Sequence, residues 1–160
     1  MTWAELIESG DLTVVNGILS AETDIPGILV VDSSVNAIGV FESCGELIKI
    51  IIPNSVTDIY NDAFMSCKDL ISIEIPNTIT KINEYVFSNC QSLAHITIPD
   101  SVTSFGIYSF ESCNDLASID YSGTKAQWNA IQFEDGWNEG CPKITVKCTD
   151  GDIEIPAYGQ

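Results

Sequence analysis

The stretch "IPNSVTDIYNDAFMSC", residues 52–67, is the first of three closely similar segments in the sequence. The second, "IPNTITKINEYVFSNC", occupies residues 75–90, and the third, "IPDSVTSFGIYSFESC", occupies residues 98–113. Each copy starts 23 residues after the previous one, and a period of this length is typical of solenoids and repeat arrays. The sequence therefore predicts stacked coils, with each repeated residue in the same place in every coil.

The same period extends beyond the quoted segments and holds for four residue types. They recur at Cys44, Cys67, Cys90 and Cys113, at Phe41, Phe64, Phe87 and Phe110, at Leu47, Leu70, Leu93 and Leu116, and at Pro53, Pro76 and Pro99. Four types that share one spacing indicate a structural repeat rather than chance. We expect the phenyl rings and the thiols to lie in rows inside one continuous hydrophobic interior.

Each coil also contains a short segment in which apolar and polar residues alternate. Leu70, Ile73 and Ile75 point to one side of this segment, while Ser72 and Glu74 point to the other, as in a β-strand. The proline that follows ends the strand, because it has no N–H to donate to a ladder. One coil cannot bury its apolar side alone, so the coils must stack, and their strands form a parallel sheet along one side.

The N-terminal segment departs from the repeat and is predicted to cover the first coil, whose apolar side and sheet edge would otherwise meet water. Trp3, Leu6 and Ile7 fit one face of a short helix. The pair Asn16–Gly17 lies between apolar runs, which is a strong signal for a β-hairpin.

The C-terminal segment breaks the period as well and is predicted to close the other end. Thr124 is placed to cap a short helix that carries Trp128 and Ile131 on one side. The segment "KITVKC", residues 143–148, is predicted to be the final strand. Trp137 either folds onto this terminal cap, which we favour, or stays exposed as a contact residue.

The repeat resembles the leucine-rich repeats of the BspA-like family, which read roughly C-x-x-L-x-x-I-x-I-P-x-S-V-T-x-I-G-x-x-A-F. Residues 55–59, "SVTDI", and 101–106, "SVTSFG", match this pattern closely, and "GTKAQW" and "CTDG" resemble the segment that closes such repeats. The resemblance covers about residues 12–153. The sequence departs from the pattern where Tyr60 and Asn83 replace glycine and where Val86 and Ser109 replace alanine.

The resemblance implies a leucine-rich-repeat solenoid with a short parallel β-sheet on its concave side. The convex side is expected to be irregular or short-helical, with a hairpin cap before the repeats and a helix–strand cap after them. We expect one domain over residues 1–160, divided into an N-terminal cap (1–27), about four repeats (28–121) and a C-terminal cap and tail (122–160). In the first coil Val35 precedes Phe41 by six residues, where Val56 precedes Phe64 by eight, so its turn is expected to be pinched.

The composition disfavours several kinds of partner. Lys plus Arg number 6 against 23 Asp plus Glu, which gives a net charge of −17, and arginine is absent. A surface this acidic repels nucleic acid and anionic lipid. Residues 1–17 lack the basic start and continuous apolar stretch of a secretory signal, and the apolar runs "GILVV" and "IKIIIP" are too short to span a bilayer.

The cysteines are best explained as a row of buried thiols that fill space in the core. Neighbouring coils lie about 5 Å apart, so disulfides between cysteines of neighbouring coils stay an open alternative. A zinc site is disfavoured, because thiols in one line do not surround a tetrahedral ion. Cys141 and Cys148 are expected to lie outside the row, with a bridge between them open but separate structural thiols favoured. No cofactor is predicted.

The single histidine, His95, lies in the repeat frame between Ser72 and Ser118, with Asp120 in the adjacent outward row. Serine, histidine and aspartate are therefore predicted to lie within several ångströms of one another. Nucleophilic catalysis also requires an oxyanion pocket and exclusion of water, which an open sheet face does not supply. We therefore interpret these residues as a solvated polar face or part of a recognition surface. The sequence "DGD" at 150–152 is too short for an EF-hand calcium loop.

We predict a non-enzymatic binding module whose sheet face contacts a protein partner. Because BspA-like proteins are associated with bacterial surfaces and adhesion, the resemblance suggests a secreted or cell-surface protein whose partner is a host or matrix protein. The alternative is a structural spacer or self-associating unit in a larger assembly, such as a surface layer or phage particle. The candidate partner-binding residues are Lys49, Ser72, Glu74, His95, Thr97, Ser118 and Asp120.

Overall fold

The computed structural model describes residues 3–10, 12–21, 23–25, 27–41 and 44–159. The chain forms a solenoid of about five turns. Its elements in chain order are α1 (Trp3–Ser9), β1 (Leu12–Val15), β2 (Ile18–Ala21), β3 (Gly27–Val30), β4 (Ala37–Phe41), β5 (Leu47–Ile51), β6 (Asp58–Ile59), β7 (Ser72–Glu74), β8 (Lys81–Ile82), β9 (His95–Ile98), β10 (Ser104–Phe105), β11 (Ser118–Tyr121), α2 (Lys125–Asn129), β12 (Gln132–Phe133), β13 (Ile144–Cys148) and β14 (Gly151–Ile155).

One side of the solenoid is a seven-stranded sheet in the order β14-β13-β11-β9-β7-β5-β3. All neighbouring strands in it are parallel except β13 and β14. His95 pairs with Ser72 on one side and with Ser118 on the other, so the register advances by one repeat at each step. The predicted parallel sheet and the predicted fold class are confirmed.

The return side of each coil carries much shorter strands. They form a four-stranded sheet, β1-β2-β4-β6, and a three-stranded sheet, β12-β10-β8. Most of these strands have only two residues, and the two helices of the described chain lie near its ends. The structure therefore adds short strands to the return side that was expected to be irregular or short-helical.

Each regular coil turns back toward the seven-stranded sheet through two residues with left-handed backbone. One set is Asp62, Tyr85 and Tyr108, with φ between 53° and 62°. The second set lies four residues later, at Ser66, Asn89 and Ser112. The N–H groups at these turns bond to carbonyls of the next coil, as from Tyr85 to Ile107 at 3.1 Å. These bonds between coils satisfy the backbone N–H groups of turns whose left-handed conformation most side chains disfavour.

The phenylalanine row forms the centre of the core. Phe41, Phe64, Phe87 and Phe110 are fully buried, and their ring centroids follow one another at 5.4, 5.6 and 5.1 Å. These distances suit favourable aromatic contacts. The prediction of a single continuous interior with the rings in one row is confirmed.

The cysteine side chains lie beside this row, and their thiols donate hydrogen bonds to the backbone carbonyls of the phenylalanines. Cys90 Sγ lies 3.1 Å from the carbonyl oxygen of Phe64, and Cys113 and Cys141 make the equivalent bond to the next two phenylalanine carbonyls. Burial raises the pKa of Cys90 to about 12, because the thiolate would lose its hydration. The prediction that Cys141 lies outside the row is wrong, since it forms the last rung. Cys141 and Cys148 are both free thiols, so the bridge between them is not formed.

Hydroxyl groups form a third row along the coils. Ser55 Oγ donates to the carbonyl of Val35, and Ser101 Oγ donates to the carbonyl of Ile79, each at 2.7 Å. Thr78 makes the corresponding bond between them. The repeated Ser or Thr two residues after the proline thus satisfies a backbone carbonyl of the preceding coil.

The first coil is shortened as predicted, and the structure shows how. Here the return side is the continuous strand β4, which reaches Phe41 without the left-handed residue that precedes the phenylalanine in the other coils, as Asp62 precedes Phe64. The N–H of Phe41 still bonds to the carbonyl of Ala63, at 2.9 Å. The phenylalanine therefore keeps its place in the row although the coil has fewer residues.

The N-terminal hairpin is confirmed. β1 and β2 are antiparallel, and Asn16 and Gly17 join them with φ values of 53° and 78°, as a tight hairpin turn requires. In α1 the side chain of Leu6 is buried, whereas Ile7, predicted on the same face, is 36% exposed. The predicted packing of the Trp3 side chain lies outside the described residues.

The C-terminal cap contains the predicted helix. Thr124 accepts a hydrogen bond from the N–H of Gln127 and begins α2, and the side chains of Trp128 and Ile131 are buried. Trp137 folds onto the cap, with its ring 5.4 Å from that of Phe105. The strand predicted at residues 143–148 is confirmed as β13, but it is not the final one, because β14 follows and pairs antiparallel with it.

Candidate functional site

The side chains of the seven-stranded sheet that point away from the core form two adjacent rows, here called the outer sheet face. Strand pairing aligns the first row as Ile28, Lys49, Ser72, His95, Ser118 and Thr145, and the second as Val30, Ile51, Glu74, Thr97, Asp120 and Lys147. All seven predicted partner-binding residues lie in these rows. The alternation of each strand places them there, because its other residues fill the core.

His95 is the centre of a polar cluster on the outer sheet face. Its Nδ1 atom lies 2.9 Å from Ser118 Oγ, and its Nε2 atom lies 3.3 Å from Asp120 Oδ2. The other carboxylate oxygen of Asp120 lies 3.6 Å from Lys147 Nζ. The predicted proximity of serine, histidine and aspartate is therefore observed, and the imidazole bridges the other two side chains.

This arrangement favours recognition over nucleophilic catalysis. The side chains of His95 and Asp120 are 36% and 44% exposed, so water competes at both groups, and a hydrolytic triad depends on a dry, preorganised site. The described residues contain no group of three or more His, Cys, Asp or Glu side chains arranged to hold a metal ion. The cluster offers hydroxyl, imidazole, carboxylate and ammonium groups to whatever lies on the face.

The polar half of the outer sheet face continues into the last coil, which sequence reasoning missed. Thr145 and Lys147 extend the two rows, and Glu154 of β14 contacts both Thr145, through hydrogen bonds of 3.1 and 3.3 Å, and Lys143, at 3.1 Å. The step from Asp120 to Lys147 is 27 residues rather than 23, since the cap helix is inserted there. The alternation within residues 143–148 is the signal that places these residues outward.

The opposite end of the outer sheet face is apolar. Ile28, Val30 and Ile51 are 64%, 59% and 46% exposed. Ile48 and Ile71 are also exposed and line an open depression beside these strands. Sequence reasoning missed Ile28 and Val30 as members of this face. The shortened first coil sets the step from Ile28 to Lys49 at 21 residues, which takes β3 out of the repeat frame.

The fold is a stack of short coils with a parallel sheet on one side and rows of Leu, Ile, Cys and Phe inside. These features define a leucine-rich-repeat solenoid. The model of the BspA-type leucine-rich repeat region matches this chain in six copies over residues 35–145. The chain therefore belongs to the BspA-type leucine-rich repeat family, as the sequence resemblance predicted. No curated protein sequence matches the chain.

Solved structures with the same architecture come from several bacteria. A leucine-rich cell surface protein from Faecalibacterium prausnitzii is 28% identical, with a TM-score of 0.57, over 78% of this chain and 41% of that protein. A leucine-rich repeat protein from Bacteroides ovatus is 23% identical, with a TM-score of 0.61, over 77% of this chain and 39% of that one. The leucine-rich repeat protein of T. pallidum is 20% identical, with a TM-score of 0.57, over 84% and 81% of the two chains.

The Bacteroides and T. pallidum proteins have low sequence identity to this chain, so their similarity concerns the fold alone. The chain spans about two fifths of the length of the Faecalibacterium and Bacteroides proteins. Within the described part of the chain, no helix has the length and apolar character needed to cross a membrane. The repeat family suggests a protein-interaction module.

Proposed function

We propose that this chain is an adhesion-type protein-binding module that contacts its partner through the outer sheet face. The supporting observation is the contrast within single strands. Inward positions hold the same apolar residue from coil to coil, as at Ile73, Ile96 and Ile119, whereas the outward neighbours change from serine to histidine to serine. A rigid scaffold with variable outward side chains suits recognition of a protein surface.

The charges of the face suggest the chemistry of the partner. Glu74 and Asp120 lie in one row, on a chain whose net charge is −17, so a partner surface with basic groups is favoured. His95 and Ser118 add hydrogen-bonding groups beside these acids. We therefore propose a protein with a basic patch, such as a host or matrix surface protein, as the partner.

The setting and the extent of the module are also part of the proposal. The Faecalibacterium relative is described as a cell surface protein, and that likeness supports a surface location for this chain. One hydrophobic core runs from Leu6 to Val146, which supports residues 1–160 as a single module with the terminal caps given above. Leucine-rich-repeat proteins are generally non-enzymatic binding modules, which supports a non-catalytic role.

Photo-crosslinking from two sides of the solenoid tests the proposal. Thr97 lies on the outer sheet face, and Thr103 is exposed on the return side, just before β10. Benzoylphenylalanine is introduced at one position or the other, and each protein is irradiated with a bacterial or host surface-protein extract. We expect a discrete partner to be captured from position 97 and not from position 103. Equal capture from both positions, or capture from position 103 alone, would contradict the proposal.

A further inference from the structure

The two edges of the seven-stranded sheet differ in their protection. At the C-terminal edge, β14 points Asp152 and Glu154 outward, and Glu154 is paired with Lys143 at 3.1 Å. At the N-terminal edge, β3 points Ile28 and Val30 outward, more than half exposed. Charged side chains discourage another strand from pairing with an edge, whereas apolar ones favour it. The N-terminal edge is therefore the one open to strand addition.

The backbone of β3 has hydrogen-bonding groups to offer on its open side. The N–H of Val31 donates to the carbonyl of Ile51 at 3.0 Å, so Val31 faces β5. Alternation back along the strand turns Leu29 toward β5 and directs the N–H and C=O groups of Ile28 and Val30 away from it. Within the described ranges, no strand pairs with this side of β3.

We propose that the open edge of β3 binds an extended segment of a partner protein, which adds to the sheet as a further strand and carries aliphatic side chains between basic ends. Ile28, Val30 and Ile51 form an apolar band next to the added strand, and aliphatic side chains of the partner extend that band. Main-chain hydrogen bonds supply affinity in this mode, and alternate side chains supply specificity.

The charges around β3 favour a basic segment over a second copy of this chain. Asp24 precedes the strand and Asp32 follows it. Both are exposed, and each carboxylate accepts a hydrogen bond of 2.8 Å from a backbone N–H. Antiparallel pairing of two β3 strands would bring acidic ends of one copy against acidic ends of the other, and like charges oppose such pairing. A segment with lysine or arginine at its ends gains attraction at the same two places.

This inference goes beyond the proposed function, because it concerns the open backbone edge of β3 and the apolar end of the outer sheet face rather than the His95 cluster. The His95 cluster lies on β9 and β11, and β5 and β7 separate it from the β3 edge. Loss of the cluster therefore leaves the edge intact, and blocking the edge leaves the cluster intact. A failure of one proposal can be told from a failure of the other.

The test uses a short synthetic peptide of alternating Val and Thr with lysines at both ends, added to the isotope-labelled full chain. We expect the amide protons of Ile28 and Val30 to become protected from hydrogen exchange when the peptide binds. Methylation of the peptide nitrogens that face β3 should weaken binding about fivefold for each hydrogen bond lost. The same peptide with glutamates at its ends should bind about tenfold more weakly or not at all.

Two matched variants locate the site. Val30→Lys places a cation at the edge and should weaken binding of the lysine-ended peptide about tenfold. Ile71→Lys makes the same change at an exposed aliphatic residue next to β7, an interior strand, and should change binding by less than about twofold. Thermal melting of both variants checks that they fold.

Three outcomes would overturn the proposal. In the first, no peptide protects the Ile28 and Val30 amides. In the second, the glutamate-ended or the methylated peptide binds as well as the lysine-ended one. In the third, the two amides become protected as the chain itself is concentrated without peptide, which would identify a second copy as the occupant of the edge.

Discussion

His95 and Ile96 are neighbours in β9, yet they belong to opposite sides of the sheet. Ile96 is fully buried and repeats as Ile73 and Ile119 in the adjacent strands. His95 is partly exposed, and the adjacent strands carry serine at its position. The core has one geometry in every coil and therefore selects one kind of side chain, whereas water solvates many kinds of polar side chain equally well. Stability is thus expected from the inward rows and recognition from the outward ones.

The largest expected effect is on the inward side, at the middle of the phenylalanine row. Phe87→Ala removes a ring that contacts two others, at 5.6 and 5.1 Å, and leaves a cavity between coils. We expect the free energy of unfolding to fall by roughly 3–5 kcal/mol, as measured by urea denaturation. The outward variant Thr97→Ala, from the next coil, is the control and should change it by less than about 0.5 kcal/mol. Equal losses from the two variants would erase the distinction between the sides.

The buried thiols predict a loss of stability at alkaline pH. Burial raises the pKa of Cys90 from its ordinary value of 9.0 to about 12. Between these values the unfolded chain releases the thiol proton and the folded chain retains it, so stability falls as pH rises from about 9 to about 12, by about 1.4 kcal/mol per pH unit for this group. Below pH 9 the group has no effect on the pH dependence.

Cys90→Ala isolates this contribution. Urea denaturation under reducing conditions, from about pH 8 to pH 11, should show a shallower loss of stability for the variant than for the unchanged chain. The pKa of Cys67 and of Cys113 is also raised, by interactions within the row of thiols and by burial, so the variant should keep part of the alkaline loss. Identical slopes for the two proteins would show that Cys90 ionises as readily in the folded chain as in the unfolded one.

A smaller effect is expected at Ser109, an inward-facing serine at a position where the repeat pattern has alanine. Ser109 is fully buried, and its hydroxyl has no hydrogen-bond partner among the described residues. Ser109→Ala should raise the free energy of unfolding by about 1 kcal/mol, because it removes an unsatisfied buried group.

Ser88 provides the matched control for that change. Its side chain is also buried, but its hydroxyl donates to Glu111 at 2.9 Å. Ser88→Ala should lower the free energy of unfolding by about 1 kcal/mol, because it leaves a carboxylate oxygen without its donor. Opposite signs for the two serines would confirm that the hydrogen bond decides the outcome. Losses at both positions would contradict it.

The repeat period was sufficient to predict which residues lie next to one another in the stack. It predicted the rows of Phe87 and Cys90, the parallel sheet, and the approach of His95 to Ser118 and Asp120, because residues one period apart become neighbours in a stack. It failed where the spacing changes. Cys141 follows Cys113 by 28 residues, since the cap helix lengthens that coil.

Two other features escaped prediction for different physical reasons. The segment 151–155 is short and bears two acids, so its alternation was a weak strand signal, and pairing with β13 decides its conformation. At the other end, the shortened first coil moved Ile28 and Val30 out of the repeat frame. The apolar half of the outer sheet face depends on that shift.

The most direct test measures stability and binding on one variant, in which His95, Glu74 and Asp120 are all replaced by alanine. We predict a free energy of unfolding that changes by less than about 0.5 kcal/mol for each substitution, together with loss of the partner captured from position 97. A variant that remains folded and still binds that partner as tightly as the unchanged chain would contradict the assignment of recognition to the outer sheet face.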